Sequence, residues 1–313
     1  MTDFVGQVTG AVLGACVGSF LNVVIWRLPR GTFVADGSRS ICPQCRAPIA
    51  WYRNLPVLSW LLLRGRAACC RARISPRYLL VEALTAFLFW ALVAYPPSEL
   101  AAWPPNFAGT GTFLLQASLV SILIACTFID IDHQILPDRL TKPGMVLGVL
   151  GALVVPQAYG ALPIPVSLAN QRLLFSVVGL LAGFGLTWGV RALASLLFRK
   201  EAMGRGDVKF MGAIGAFLGY ENVLLTFFLG CLFGAAGGLL HRVVTGQVYI
   251  CFGPFLAAGA MTALFFGEPV RNFLLVTWPQ WQETHPMAPV LVLCLTGVAL
   301  LSLFIIIRRG RTT

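Results

Sequence analysis

The sequence predicts an all-α polytopic membrane protein with eight to nine transmembrane helices and a small cysteine-containing cytoplasmic domain between helices 1 and 2. Of its 313 residues, 58% are hydrophobic and only 11% are charged, whereas soluble globular proteins carry about 25% charged residues. Several apolar runs also approach the roughly 20 residues that span a bilayer as a helix. The shorter alternating segments of a membrane β-barrel are not evident.

The apolar runs define the predicted membrane segments. In chain order they cover residues 4–26, 78–95, 112–129, 143–159, 173–198, 207–219, 222–240, 249–267 and 287–307. The sixth is the shortest, with about 18 Å of helix, so eight crossings are the alternative to nine if one segment is re-entrant. Nine crossings place the N-terminus outside and the C-terminus in the cytoplasm.

The positive charge is concentrated in one loop. Residues 27–77 contain ten arginines and one acidic residue, Asp36, so this loop carries +9 of the formal net charge of +11. Because positive loops stay in the cytoplasm, we interpret the charge as a topology signal. An added attraction to anionic lipid headgroups fits the same charge, and no nucleic-acid partner is expected.

The nine cysteines fall into two groups. Five lie in apolar runs and are interpreted as packing residues: Cys16, Cys126, Cys231, Cys251 and Cys294. The other four lie in the basic loop: Cys42, Cys45, Cys69 and Cys70. Because the cytoplasm is reducing, metal binding is favoured over disulfides for these four. A loop of about 50 residues needs a metal, or packing on the membrane face, to be stable.

Acidic residues are rare, twelve in all, and four of them cluster at predicted cytoplasmic helix ends. Asp130, Asp132 and Asp138 lie in "FIDIDHQILPD", and Asp207 lies in "GRGDVK". They could be solvated boundary residues, but carboxylates at membrane depth are functional candidates by default. Two carboxylates held close together share a proton, so that one acts as general base and the other as general acid.

The glycines beside Asp207 fit this chemistry, because Gly204 and Gly206 lack Cβ atoms and would let a substrate backbone come close. Arg205 and Lys209 flank the same carboxylate, and their charge is expected to favour its ionised form, although a coupled pair titrates as a unit. The sequence shows no G-x-S-x-G elbow and no H-E-x-x-H pair, which removes the common alternatives for hydrolysis.

These motifs resemble those of the type IV prepilin peptidase family of intramembrane aspartyl proteases. "GRGDVKF" is similar to the G-x-G-D signature, and "FIDIDHQILPDRLTKPG" is similar to the D-x6-P-[DN] motif. The family spacing places the catalytic aspartate seven residues before Pro137, which selects Asp130, with Asp132 as the nearest alternative. "GSFLNVVIWRLPRG", "CPQC", "LLLRG", "ISPRYLLVE" and "GPFLAAGA" also match, in the family's order.

The resemblance implies two activities at the cytoplasmic face of the bacterial inner membrane. The enzyme would cleave the leaders of prepilins and pseudopilins after a glycine, using Asp130 and Asp207, and would then methylate the new N-terminal amine with S-adenosylmethionine. It also divides the chain into a first transmembrane helix (1–26), a basic cysteine-containing domain (27–77), a peptidase membrane domain (78–267) and a C-terminal extension with an extra helix (268–313).

The cysteine loop departs from the family pattern. Members with this loop have two C-x2-C pairs suited to zinc, and the first pair is intact as Cys42 and Cys45. The second pair would fall at positions 67 and 70, but this chain has Ala67 there, with Cys69 beside Cys70. Three ligands plus water, a weaker site, or recruitment of Cys69 are the alternatives.

Three further interpretations stay open from the sequence. Glu82, in "YLLVEAL", is either a functional intramembrane acid or a helix-end carboxylate that balances Arg77. Relatives that lack the cysteine loop are peptidases only, so the loop favours methyltransferase activity, with a peptidase alone as the alternative. An ion-coupled transporter that uses the aspartates, or a zinc-stabilised assembly protein without catalysis, are the hypotheses from other classes. The transporter lacks a detectable inverted repeat.

Overall fold

The structure, a computed structural model, describes residues 2–31, 42, 44–96, 107–155, 158–159, 167–199, 203–245 and 251–284. Within these residues the regular elements are helices, joined by turns and one isolated bridge between Arg66 and Arg73. The helices are α1 (Thr2–Arg27), α2 (Leu58–Leu62), α3 (Pro76–Ala94), α4 (Phe107–His133), α5 (Asp138–Val154), α6 (Leu168–Phe198), α7 (Arg205–Thr245), α8 (Gly253–Asn272) and α9 (Trp278–Thr284).

Five helical stretches of the described residues are long and apolar enough to cross a membrane, and the first extends through the turn that follows α1. The segments are Phe4–Arg30, Pro76–Ala94, Gly109–His133, Asn170–Leu197 and Arg205–Val244. They confirm the prediction of an all-helical chain with several membrane spans, whereas the count of eight to nine crossings stays a prediction. The predicted segment 287–307, together with Cys294, lies outside the described residues.

Helix α7 is interrupted at Gly219. A straight helix of its 41 residues would be about 60 Å long, twice the hydrocarbon thickness of roughly 30 Å. Gly219 instead has φ 75° and ψ 171°, a conformation that glycine adopts without steric penalty. This break falls between the predicted segments 207–219 and 222–240.

The contacts of α8 show that the chain reverses direction at this break. Asn222, just after the break, lies against Gly267 near the end of α8, whereas Gly237 lies against Phe255 near its start. Asp207, in the first turn of α7, interacts electrostatically with Asp130, whose carboxyl bonds Gly253 at the start of α8. Both ends of α7 therefore lie near the start of α8, so the arms 205–219 and 220–245 are antiparallel. The reversal places both ends of α7 on the same side of the bundle.

Glycines allow the helix backbones to touch, as small residues do in membrane bundles. A Cβ at Gly179 of α6 would lie 2.7 Å from the Cα of Gly219 and closer still to the carbonyl oxygen of Gly215. Helices α1 and α3 approach in the same way, because a Cβ at Gly14 would lie 2.6 Å from the Thr85 carbonyl oxygen.

Helix α4 occupies the centre of the bundle. It contacts α1, α3, α5, α7 and α8. Its side chains at Val120, Leu123 and Ile129 have no exposed surface. Its C-terminal end carries the first aspartate motif and contacts α3 through Asp132 and α8 through Asp130.

We expect a larger side chain at Gly179 to destabilise the fold. Gly179→Val would force α6 away from α7, and overpacking of this kind costs about 1–3 kcal/mol in the free energy of unfolding. Thermal unfolding in detergent micelles measures the change. Gly185→Val, on the same helix with nothing within 4 Å of its Cβ position, is the matched control, and equal destabilisation of the two variants would contradict the contact.

Candidate active site

Asp130 lies in the last turn of α4 and is buried, with 7% of its surface exposed. Its Oδ2 accepts a hydrogen bond of 3.1 Å from the backbone N–H of Gly253, the first residue of α8. A Cβ at Gly253 would lie 2.6 Å from the same oxygen, so a larger residue would displace the carboxyl. The start of α8 thus presents the partially positive end of a helix to the Asp130 carboxyl.

Asp207 lies in the first turn of α7. Its Oδ2 accepts a hydrogen bond of 3.2 Å from the backbone N–H of Gly204. A Cβ at Gly206 would lie 2.8 Å from the Cβ of Leu136, so this glycine lets α7 pack against the segment that follows α4. The structure therefore gives Gly206 a packing role, whereas the sequence suggested room for substrate; Gly204 remains exposed.

The fold brings together Asp130 and Asp207, which are 77 positions apart in the sequence. The two carboxylates interact electrostatically, and both also act on the thiol of Cys251. The sequence assigned Cys251 to packing within an apolar run. Its position directly before "FGPFLAAGA" was the signal that could have placed it beside the site.

The other two aspartates of these motifs are neutralised. Asp132 forms an ion pair with Arg77, and Asp138 accepts hydrogen bonds of 2.6 and 2.8 Å from Lys209. Among the residues that the structure describes, no cation is in ion-pair contact with Asp130 or Asp207. Ion pairing therefore distinguishes Asp132 and Asp138, which have cationic partners, from Asp130 and Asp207.

Lys209 differs from its predicted role. We expected its charge to act on Asp207, but its ammonium group binds Asp138 at the start of α5. The Lys209 hydrogen bond, and then the one from Lys142, hold the pKa of the Asp138 carboxyl below its usual value. Lys209 thus ties the beginning of α7 to the segment that follows α4.

Glu82 joins three parts of the chain. Its Oε2 accepts a hydrogen bond of 2.7 Å from the backbone N–H of Val57, and the polar side chains of Ser19 and Asn22 on α1 interact electrostatically with its carboxyl. Val57 has φ 64°, which is unfavourable for a β-branched residue. Glu82 holds this strained turn against the membrane helices.

The alternative that Glu82 balances Arg77 is wrong. The Arg77 guanidinium binds Asp132 and donates a hydrogen bond of 3.1 Å to the Phe128 carbonyl oxygen.

The four cysteines of the basic loop form one cluster. Their Sγ atoms all lie within 4.8 Å of one another, with 3.7 Å between Cys42 and Cys70 and 3.3 Å between Cys45 and Cys69. Four thiolates at about 2.3 Å from a tetrahedral zinc ion are roughly 3.8 Å apart. The donor set and its spacing therefore fit a metal of this kind.

Two turns with the same backbone pattern build the cluster. In the first, the Arg46 N–H bonds the Cys42 carbonyl oxygen and the Cys42 N–H bonds Ala47. In the second, the Arg71 N–H bonds the Ala67 carbonyl oxygen and the Ala67 N–H bonds that of Ala72. Arg46 and Arg71 both have positive φ, 58° and 57°.

This correspondence locates the departure from the C-x2-C pattern. Ala67 occupies the position of Cys42, and Cys70 occupies that of Cys45. Cys69 corresponds to Gln44, a position without a thiol in the first turn, yet its Sγ reaches the cluster. The geometry favours recruitment of Cys69 among the three alternatives.

The thiols differ in acidity. Backbone hydrogen bonds from Cys45 and Gln44 lower the pKa of Cys42 to about 6, whereas the hydrogen bonds to Cys45 and Cys42 raise that of Cys69 to about 12. A metal that takes Cys69 as a ligand must displace its proton, so binding weakens as the pH falls.

Comparisons with known proteins cover most of the chain. Residues 12–95 match the bacterial peptidase A24 N-terminal domain, and residues 117–239 match the type IV leader peptidase family. A Neisseria gonorrhoeae prepilin leader peptidase/N-methyltransferase is 36% identical over 304 residues, covering 88% of this chain and 94% of the relative.

The chain belongs to the type IV leader peptidase family.

Other relatives carry the same name. The Aeromonas hydrophila protein is 37% identical over 292 residues, covering 84% of this chain and 91% of its own length. The Klebsiella pneumoniae protein is 42% identical over 221 residues, covering 69% and 86%. No solved structure matches the chain. Membership of this leader peptidase family confirms the predicted enzyme over a transporter or a non-catalytic assembly protein.

The carboxylate pair and the cysteine cluster lie in different matched regions of the chain. The carboxylate pair lies in the second region, and the cysteine cluster lies in the first. The ion pair between Arg77 and Asp132 joins them beside Asp130.

We expect the ion pair between Lys209 and Asp138 to contribute modestly to stability. Both side chains are about one-third to two-fifths exposed, so solvent screening limits their coupling to about 1 kcal/mol or less. A double-mutant cycle with Lys209→Met and Asp138→Asn, read by unfolding in detergent, measures it. The pair of Asp138 with the more exposed Lys142 is the control, and a larger coupling there would contradict the expectation.

Proposed function

We propose that this protein is an intramembrane aspartyl endopeptidase that removes the leaders of type IV prepilins and pseudopilins after a glycine, and then methylates the new N-terminal amine. Family membership and the names of the relatives support both activities. One observation carries the assignment of Asp130 and Asp207 as the catalytic pair. Of the four aspartates in the two motifs, these two interact with each other and have no ion-pair partner among the described residues.

The pair supports hydrolysis by shared proton transfer. The ionised carboxylate takes a proton from water, and the oxygen of that water attacks the scissile carbonyl carbon. The protonated carboxyl hydrogen-bonds the carbonyl oxygen and then gives its proton to the leaving amine as the C–N bond breaks. The N–H groups of Gly253 and Gly204 each hold one carboxyl in place, which fixes their orientation without a side-chain cation.

S-adenosylmethionine is the proposed methyl donor, and it supplies an electrophilic methyl group to the new amine. Zinc is the proposed structural ion of the cysteine cluster, held by Cys42, Cys45, Cys69 and Cys70 as thiolates. The ion would join the two turns into one unit within the proposed domain 27–77. The other proposed regions are 1–26, 78–267 and 268–313.

The proposed location is the bacterial inner membrane, with the catalytic face toward the cytoplasm. The basic segment 27–77 and both aspartate motifs would lie on that side, where substrate leaders remain. The reversal of α7 at Gly219 supports two short crossings in place of one long helix, and therefore nine crossings in all. The partners are prepilin substrates and the lipid bilayer.

Asp130→Asn and Asp207→Asn should each lower the rate of leader cleavage by roughly 100- to 10,000-fold or more, because each removes one half of the acid–base pair. Mass spectrometry of a purified prepilin incubated with the full-length enzyme gives the rate. Glu268→Gln, which neutralises a carboxylate that is 88% exposed, is the control and should cleave normally. Full activity in either aspartate variant sinks the assignment.

The same assay separates the two activities. With S-adenosylmethionine present, the cleaved product should gain the mass of one methyl group. If the product loses the leader but never gains this mass, the enzyme is a peptidase without methyltransferase activity.

The metal proposal predicts how the cluster responds to substitution. Purified protein should contain one zinc per chain, and Cys69→Ala should lose it because only three thiolates remain. Ala67→Cys combined with Cys69→Ala should restore binding, because position 67 matches Cys42 in the repeated turn. Elemental analysis after dialysis against a weak chelator measures this. Wild-type protein without zinc, or full retention in Cys69→Ala, would contradict the four-thiolate site.

A further inference from the structure

A cavity of about 150 Å³ opens between α1, α3 and α4. Three motifs that are far apart in the sequence meet at its wall. Asn22, Trp26 and Arg30 come from "GSFLNVVIWRLPRG", Arg77 comes from "ISPRYLLVE", and Asp132 comes from "FIDIDHQILPD". Peptide hydrolysis by the carboxylate pair gives the first two motifs no chemical role.

The cavity lies on the other side of α4 from the carboxylate pair. Residues two apart on a helix do not share a face, so Asp130 and Asp132 point in nearly opposite directions. Asp130 faces Gly253 of α8, and Asp132 faces Arg77 of α3. The end of α4 therefore separates the hydrolytic site from the cavity.

The polar groups around the cavity are held in place before any ligand binds. Arg77 pairs with Asp132, donates to the Phe128 carbonyl oxygen at 3.1 Å and lies 5.1 Å from the centre of the Phe128 ring. Asn22 is buried and donates to the Tyr78 carbonyl oxygen at 3.1 Å, which ties α1 to α3. These contacts fix one guanidinium and one carboxylate at the wall.

Arg30 supplies a second guanidinium. It lies 4.7 Å from the centre of the Trp26 ring and donates a hydrogen bond of 2.5 Å to the Trp26 carbonyl oxygen. The cavity wall thus carries two cations and one anion. This arrangement matches a ligand group that carries both a carboxylate and an ammonium.

We propose that this cavity is the methyl-transfer site and binds the amino-acid end of S-adenosylmethionine, with its carboxylate on Arg30 and Arg77 and its ammonium on Asp132. This inference rests on the proposed function. Sites that enclose a whole ligand of this size measure about 300–1,000 Å³. The cavity would therefore enclose the amino-acid end, while the remainder of the donor lies in its open mouth.

The two reactions would then occur on opposite faces of α4, in a fixed order. Cleavage releases the amine beside Asp130, and the new chain end passes around the end of α4 to the cavity. There the amine, after losing a proton to solvent, uses its lone pair to bond the methyl carbon. The carbon–sulfur bond breaks with its electrons left on sulfur, so one positive charge passes from sulfur to nitrogen.

Direct binding of the donor tests the site. Full-length enzyme in detergent is dialysed to equilibrium against radiolabelled S-adenosylmethionine, without substrate. Arg30→Gln should weaken binding by roughly 10- to 100-fold, the range for a lost hydrogen bond to a charged group. Arg30→Lys keeps the charge and should retain more affinity than Arg30→Gln.

Arg53→Gln is the matched control. Arg53 is also exposed and lies 5.6 Å from the centre of the Tyr52 ring, but it does not line the cavity. Its variant should bind the donor as wild type does. Equal affinities in Arg30→Gln and Arg53→Gln would overturn the site.

Leader cleavage, measured without the donor, separates a local effect from general damage. The proposal requires the loss of donor affinity in Arg30→Gln to exceed any loss of cleavage, and equal losses would overturn it. If wild-type enzyme methylates its product but Arg30→Gln binds the donor normally, only the location of the site is wrong. If wild-type enzyme adds no methyl group, the proposed methyltransferase function itself fails.

Discussion

The buried carboxylate of Asp130 is the constraint on which the other contacts of the site depend. A carboxylate at membrane depth is costly unless hydrogen-bond donors surround it. Here the donor is the first N–H of α8, and the absence of a Cβ at Gly253 leaves room for the carboxyl beside it. The start of α8 must therefore lie beside the end of α4, and the second arm of α7 must return to the same side of the bundle. The reversal of α7 at Gly219 brings the second arm back to that side.

The distribution of cations around the site fits the proposed chemistry of a shared proton. A cation beside either member of the pair would favour its charged form and would remove the acid that the leaving amine needs. Arg77 and Lys209 instead bind Asp132 and Asp138, the neighbours of the pair along the chain. They hold the end of α4 and the start of α7 in position without an ion pair to Asp130 or Asp207. The chain thus uses its charges to position the site and leaves the pair itself to backbone donors.

Local patterns in the sequence were sufficient to predict most of the helices. Apolar length predicted the segments that became α1, α3, α4 and α6, and the boundary between 219 and 222 matched the break in α7. The resemblance to the family's D-x6-P-[DN] motif selected Asp130 by its spacing to Pro137, and this choice stays a prediction. Local patterns could not predict three contacts: that of Lys209 with Asp138, that of Glu82 with Val57, and the position of Cys251 beside the carboxylates. Each depends on which distant segments meet, and hydrophobic patterning does not encode that choice of partner.

The two aspartates of the D-x-D sequence in α4 face different neighbours because they lie on a helix. Two residues along a helix correspond to a rotation of roughly 200°, so the two aspartates must face different neighbours. Asp130 turns toward α7 and α8, in the region of the chain that carries the peptidase motifs, and Asp132 turns toward α3 and the cavity. The ion pair of Arg77 with Asp132 holds one side of this helix end, and the hydrogen bond from Gly253 to Asp130 holds the other. One helix end can therefore serve two sites and connect them, and the order of the reactions needs no further device, because the amine exists only after cleavage.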